Sequence, residues 1–467
     1  MSVTMDLQTE AAHLIRAEQL RKGQGQYTDT SNAELIVRKS GGEAKYCAPW
    51  KKWVLWDGKR WESDERNRIY DIAKTVIRSM HEDVLNLPDH RDRIEMENHA
   101  IKSEAVRRRK AAVEAASWEP SVNLVPDDLD RDPWLFNVRN GTIDLKTGSC
   151  REHRKEDLIS KVSRVDFDPH AGCPTWLAFL REITDCRADL MEFLQIAAGW
   201  TMTGDISAQT MFILYGSGAN GKSTYLNALI DVMGDYAIST PTETFMHKHG
   251  DQMSNDIARL RGTRLVTTME AEQGKKLSEP LIKQVTGNDR LTARFLYGEY
   301  FDFRPTFKIY MATNHKPIIH GTDFGIWRRI KLIPFTVTIP NEKQDPQLQG
   351  KLHEEASGIM NWMIEGCLKW RGKGLVAPVE ISEATDEYRG EMDGLGTFLH
   401  ERCIQGPGTR IRARELFKTY QEWCEEVNER AFSERMFGMR MQEIGVERYR
   451  TQDARYWKGI ELKAQRD

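Results

Sequence analysis

Residues 211–230 read MFILYGSGANGKSTYLNALI, and the fold turns on this stretch. Met211 to Tyr215 is an apolar run of strand length, Gly216 to Gly221 is a glycine-rich turn, and the apolar residues after Lys222 recur at helical spacing. Strand, loop and helix in that order are the context that the pattern G-x-x-x-x-G-K-S requires. Glycines let the backbone curl so that successive N–H groups face a phosphate, and the N-terminal end of the helix dipole adds its positive charge. In this reading Gly216, Ser217, Gly218, Ala219, Asn220, Gly221, Lys222, Ser223 and Thr224 cradle ATP. Lys222 bridges the β- and γ-phosphates and Ser223 ligates Mg2+.

A phosphate loop of this kind needs an acid on a neighbouring strand to hold the metal and prepare the attacking water. Arg264-Leu-Val-Thr-Thr-Met-Glu270-Ala-Glu272 is the candidate, since its β-branched and apolar residues suit a buried strand. If the strand extends that far, Glu270 and Glu272 point to one side. One polarises water and the other supports Mg2+, and local sequence does not assign which; Glu270 is the expected metal residue. Phe307-Lys-Ile-Tyr-Met-Ala-Thr313-Asn314 reads as a further strand ending in a polar pair. At a strand's C-terminal end Asn314 can orient water or read the γ-phosphate, or it can simply begin the turn before His315-Lys316-Pro317. Arg328 and Arg329 precede a third strand, Ile330 to Phe335; guanidinium groups there can stabilise a transferring phosphoryl group, Arg329 being the better placed.

The whole chain, 467 residues, has length for two to four domains. It carries 67 Lys and Arg against 70 Asp and Glu, so any nucleic-acid contact is a local surface and not a global field. Its seven cysteines never form C-x-x-C, which argues against a zinc ribbon and against a disulfide-stapled secreted scaffold. No signal peptide or membrane-spanning run is legible, and a cytoplasmic location without membrane contact is the expectation.

Around this core the sequence predicts mixed α and β structure. Trp50 to Trp61 places Asp57-Gly58 between aromatic-rich flanks, a hairpin over a local hydrophobic core. Apolar residues at Ile69, Ile72, Ala73, Val76 and Ile77 recur at helical spacing, and Arg107 to Lys110 lie on a further helix, as a solvated face or a partner contact. Residues 118–133 read as a linker rich in acids and prolines. A second hairpin follows, in which Asn140-Gly141 is expected to supply positive φ angles. Composition divides the chain into 1–170, a mixed α+β N-terminal domain; 171–380, the α/β ATPase core; and 381–467, a tail. In the tail, three helices and a short hairpin give a winged-helix reading. Ser433 caps its third helix, with Arg435 and Arg440 facing DNA or, alternatively, the surface docking a protein.

The order from Gly216 to Phe335 (phosphate loop, acid pair, Thr-Asn-His-Lys-Pro, Trp-Arg-Arg-Ile-x-x-Ile-Pro-Phe) resembles the superfamily III helicases. Within them it is similar to the phage and plasmid primase-helicase branch, through Gly216 to Ser223 and Thr286-Gly287-Asn288-Asp289. Asn140-Gly141-Thr-Ile-Asp-Leu and Gly199-Trp-Thr-Met-Thr-Gly204 resemble the segments preceding the ATPase there. The resemblance implies an AAA+-like P-loop core assembled as a homo-oligomeric ring of six subunits, a hexamer, with ATP between subunits and DNA in the channel. It further implies Asn314 as sensor, Arg329 as a finger supplied in trans, and a pore hairpin within Thr286 to Phe303, where Arg290, Arg294 and Tyr297 are the DNA-contact candidates. No primase-like carboxylate cluster or zinc module is legible ahead of the core, so primer synthesis by this chain is not expected.

These readings converge on an ATP-dependent DNA helicase for replication of a phage, plasmid or integrated element, acting on single-stranded or forked DNA. An origin-binding initiator or helicase loader, contacting origin DNA or replication proteins through the tail, is the alternative. A small-molecule kinase explains neither the sensor-and-arginine order nor the tail.

Overall fold

The computed structural model describes residues 27–247, 255–269, 274–296, 298–319, 324–427, 431–451 and 454–463. Helix α1 (Asp29–Lys39) begins at a reciprocal cap: the Thr28 hydroxyl accepts from the Ser31 N–H and the Ser31 hydroxyl from the Thr28 N–H. Strands β1 (Ala44–Cys47), β2 (Lys52–Trp56) and β3 (Trp61–Ser63) follow, then α2 (Arg68–Val84), α3 (His90–Ser103), α4 (Val106–Ala116) and the two-residue β4 (Asn123–Leu124). The sheet order is β3-β2-β1-β4. Trp53 and Trp61 are buried in it, which is the local core expected of the tryptophan-rich hairpin. The stretch 118–133 is not a free linker. Leu124 is buried beside β1, and the Asp130 carboxylate accepts from the Ser160 N–H at 2.8 Å. A two-residue strand leaves no periodicity for sequence reading to find.

Strands β5 (Leu135–Val138), β6 (Gly141–Asp144) and β7 (Ser149–Arg151) form an antiparallel meander. The hairpin at Asn140-Gly141 is present, but neither residue has a positive φ. Val138 pairs with Gly141, so Arg139 and Asn140 make the turn, and Asn140 is tied to the Phe167 backbone through both ends of its amide. The glycine serves packing instead: a β-carbon on Gly141 would lie 2.5 Å from Cys150 Sγ and 2.6 Å from the Arg151 carbonyl.

Next come α5 (Pro174–Ile183), α6 (Ala188–Met202), β8 (Met211–Tyr215), α7 (Lys222–Met233), β9 (Ala237–Ser239), α8 (Asn255–Arg259), β10 (Leu265–Met269), α9 (Glu279–Val285), β11 (Leu291–Arg294), β12 (Tyr300–Phe303), β13 (Lys308–Thr313), α10 (Phe324–Trp327) and β14 (Ile330–Pro334), followed by α11 (Leu348–Glu354), α12 (Ala356–Lys373) and α13 (Val379–Met392). Five of the strands make one all-parallel sheet, β14-β8-β13-β10-β9. Successive side chains of β8 enter opposite cores. Phe212 and Leu214 pack with Trp176, Phe193, Leu229 and Tyr310 on one face, and Met211 and Ile213 with Val266, Ile309 and Leu332 on the other. Burial on both faces is why these strands read as continuous apolar runs.

The tail folds as α14 (Gly394–Arg402), β15 (Cys403–Arg412), α15 (Ala413–Glu426), α16 (Glu434–Glu443), β16 (Glu447–Arg450) and β17 (Arg455–Leu462), with sheet order β15-β17-β16 and its own core around Phe398, Tyr420 and Trp457. Packing places the seams elsewhere than composition does. Phe136, Val138, Ile143 and Leu145 of the β5–β6 hairpin share the core of the parallel sheet, so a boundary near residue 170 cuts through that core. Likewise Ile381 and Tyr388 of α13 are buried in the central cores, and Thr385 Oγ1 accepts from the Leu332 N–H; the tail's own core begins at Leu395. Side chains far apart in sequence close both cores, which composition cannot register. No helix among the described residues is long and apolar enough to cross a membrane.

Candidate functional site

The glycine-rich loop leaves the C-terminal end of β8 and turns into the first residue of α7. Gly218 and Gly221 have φ of +110° and +81°, which L side chains rarely adopt. Gly216 is needed for space, since a β-carbon there would stand 2.2 Å from Asn220 Nδ2 and 2.3 Å from the Phe335 carbonyl. Ser217, Ala219 and Ser223 are exposed, and Gly218 and Thr224 half-buried. No side chain caps α7, so its first-turn N–H groups are open to an anion.

Asn220 does not face outward with its neighbours. Its side chain is buried, with Nδ2 donating to the Phe335 carbonyl at 3.1 Å and Oδ1 accepting from Lys222 Nζ at 2.9 Å. The Ile339 N–H adds a bond to the Ala219 carbonyl. The segment after β14 therefore fastens the loop, a role sequence reading missed; its only trace was the Pro334-Phe335 that closes the strand.

Lys222 Nζ also donates to the Gly216 carbonyl at 2.7 Å and to Asn314 Oδ1 at 3.0 Å. Burial holds its ammonium below the ordinary lysine range. Asn314 directly follows β13, and the Thr313 hydroxyl shapes the turn by accepting from the His315 N–H and donating to its carbonyl. Lys316 is structural: its ammonium pairs with Glu391 of α13 at 2.7 Å and lies over the Tyr215 and Tyr388 rings. Glu270 and Glu272 lie outside the described residues. Strand β10 brings the chain to Met269, opposite Ala312 and one position short of Thr313, on the same rim of the sheet.

Arg328 and Arg329 stand at the other rim. β14 runs parallel to β8 from Ile330 beside Met211 to Pro334 beside Tyr215, so Arg329 is roughly 17 Å of strand from the glycine-rich loop at about 3.3 Å per residue. No arginine side chain spans that length, so Arg329 does not reach the glycine-rich loop of the same chain. Arg329 Nε donates to Thr286 Oγ1 at 3.1 Å and Nη1 to the Gly325 carbonyl at 2.5 Å, whereas Arg328 is exposed and bonds Gln209.

Between Thr286 and Phe303 the chain forms the hairpin β11–β12. Leu291, Ala293 and Phe303 bury its inner face, while Phe295, Leu296 and Tyr300 near the tip are exposed. Arg290 and Arg294 are exposed, with the Arg294 guanidinium 4.9 Å from the Tyr300 ring; Tyr297 lies outside the described residues. Arg261, which sequence reading passed over, sits behind the hairpin 5.4 Å from the Phe301 ring, 6.0 Å from the Trp50 ring and 2.7 Å from the Asp127 carboxylate. In the tail, the Ser433 hydroxyl caps α16, Arg435 is exposed and Arg440 half-buried.

Three family descriptions match in succession: "D5 N terminal like" over residues 33–185, a family of unknown function over 214–329, and "Poxvirus D5 protein-like" over 390–461. A protein of Acanthamoeba polyphaga mimivirus described as a "putative helicase" is 28% identical over 322 residues, 63% of this chain and 33% of the viral protein. One of African swine fever virus described as a "putative primase" is 25% identical over 330 residues, 63% of this chain and 34% of the other. The apo C-terminal region of NrS-1 superposes with a TM-score of 0.48 at 11% identity, covering 91% of this chain and 98% of that one. With D5-like segments at 33–185 and 390–461 and viral relatives described as helicases and primases, the chain fits a primase-helicase family. It spans about a third of the length of these two viral relatives.

Proposed function

We propose that this chain is the ATP-driven motor of a DNA helicase acting in replication, with an AAA+-like core, a winged-helix-like tail and a homo-oligomeric ring of six around single-stranded DNA. The observation that carries the reading is the division of the parallel sheet: Lys222 and Asn314 share one rim, and the arginine pair occupies the other, beyond reach of its own loop. That division makes sense when one protomer's arginine completes its neighbour's site.

In this reading the loop N–H groups and Lys222 take the phosphates. Water positioned by Asn314 and the Glu270–Glu272 pair attacks Pγ; the new O–Pγ bond forms as the bond to the β,γ-bridging oxygen breaks, leaving ADP and phosphate. The water's proton passes to the acid pair. Ser223, exposed in the first turn of α7, is the described residue that would hold Mg2+, whose charge would offset that of the phosphates. Arg329 of the adjacent protomer stabilises the transition state, and the exposed aromatic tip of the hairpin with Arg290 and Arg294 takes the strand.

The test is ATP hydrolysis with and without single-stranded DNA for the chain, Lys222→Ala and Arg329→Ala, with mass measured at the same concentration. DNA-stimulated turnover by an oligomer, lost in both variants and partly restored when they are mixed, supports the reading. DNA-independent turnover by a monomer, indifferent to Arg329→Ala, overturns it. Unwinding of a fork separates a motor from an initiator or loader.

A further inference from the structure

The root of the hairpin holds the arginine pair's second member. Thr286 caps α9 at its C-terminal end and is buried, and its hydroxyl has a defined polarity: Oγ1 donates to the Ile282 carbonyl at 2.6 Å and so presents a lone pair to Arg329 Nε at 3.1 Å. The Gly325 carbonyl takes a second guanidinium N–H at 2.5 Å. Two acceptors on different segments thus help to set the plane of the guanidinium. One of them, Thr286, passes through four residues directly into β11 of the hairpin, while Arg329 passes directly into β14 of the sheet.

We infer that Thr286 is a positioning residue for Arg329, and that through it the hairpin's placement is read by the ATP site of the neighbouring protomer. The inference rests on the proposed role of Arg329 in trans and adds the element that sets its aim. A side chain of the same shape without a hydroxyl removes the acceptor at Nε and loosens the aim of the guanidinium, which the Gly325 carbonyl still holds at Nη1; the transition state, in which arginine geometry matters most, then suffers more than ground-state ATP binding. A strand that displaces the hairpin moves Thr286 and with it the arginine, which links DNA engagement to turnover.

The experiment compares Thr286→Val, Thr286→Ser and Arg329→Ala in the full chain, reading kcat and KM for ATP with and without oligothymidine, together with melting temperature. Thr286→Val is expected to lower kcat about tenfold with KM within twofold and to lose most of the stimulation by DNA. Thr286→Ser, which keeps the hydroxyl, is expected to retain both. Wild-type turnover and stimulation in Thr286→Val alongside an inactive Arg329→Ala overturns the positioning role and leaves the finger in place. Wild-type turnover in Arg329→Ala overturns both and identifies the finger as the failed step. If Thr286→Val melts early, the serine variant decides: equal loss in a well-folded Thr286→Ser also overturns the inference.

Discussion

Lys222 and Asn314 meet across 92 residues of sequence, with Nζ 3.0 Å from Oδ1, because β8 and β13 are adjacent parallel strands ending at one rim. Two further acceptors, the Gly216 carbonyl and Asn220 Oδ1, complete three bonds to the ammonium. The lysine is thus held by acceptors that, under the proposed function, phosphate oxygens would replace. Its depressed pKa reflects burial with no carboxylate partner among the described residues, a deficit that phosphate charge would correct under the proposed function.

From this follows a split between binding and chemistry. Lys222→Met removes the cation and is expected to abolish the thermal stabilisation given by ATP with Mg2+. Asn314→Ala leaves the cation and is expected to bind ATP within about threefold of the original while kcat falls about 10- to 100-fold, the range for losing one positioned polar group. Wild-type turnover in Asn314→Ala would sink the sensor role.

Asn220 is a test of how the cradle is built. Truncation to alanine leaves the Phe335 carbonyl and Lys222 each one partner short in a buried setting, a loss of about 1–3 kcal/mol in unfolding free energy. Gly216→Ala is expected to act through shape, because its β-carbon cannot coexist with Asn220 Nδ2 and the Phe335 carbonyl where they stand. Denaturant midpoints and ATP affinity check both, and a fully stable, tightly binding Gly216→Ala is the contrary result.

Legibility in the sequence followed the range of the interactions. Gly216 to Ser223 was readable because glycine spacing, strand and helix lie within twenty residues. Asn314 was readable as a position at a strand end, but its bond to Lys222 depends on the order β8-β13, which local sequence does not contain. Arg328 and Arg329 were found together; only strand register separates their rim from the one that carries the glycine-rich loop. Asn220 was taken as one more loop residue, since nothing nearby reveals that Phe335, 115 residues on, would bury it. Arg261 left no local mark, because its partners come from the turns at Trp50 and Asp127 and from the hairpin.

Arg261 gives a prediction about the hairpin. Its guanidinium lies close to both the Trp50 and Phe301 rings, bracing strand β12 from the turn between β1 and β2. Arg261→Ala removes both ring contacts and the Asp127 pair, of which the exposed ion pair contributes least. Faster amide exchange across residues 291–303, with little change around the phosphate loop, is the expected outcome of hydrogen-exchange mass spectrometry. Unchanged exchange in the hairpin would show that its own core contacts suffice.

Lys308 supplies a pH test. It starts β13 and is fully buried; Nζ donates to the Thr203 carbonyl at 2.5 Å and lies 4.9 Å from the Trp200 ring, just beyond the C-terminal end of α6, whose dipole favours a cation. Burial, reinforced by the neighbouring Arg264, still pushes its ammonium well below the lysine range. With the folded value below the unfolded value of about 10.4, the unfolded chain binds the extra proton between the two, so stability rises with pH across that window. Lys308→Met removes this contribution while losing the bond to Thr203 equally at every pH. Between pH 7 and 10 the denaturant midpoint of the original chain is therefore expected to climb relative to the variant, with a slope of at most about 1.4 kcal/mol per pH unit for one proton. Parallel profiles would mean that Lys308 keeps an ordinary pKa, and that carbonyls and the helix end compensate its burial in full.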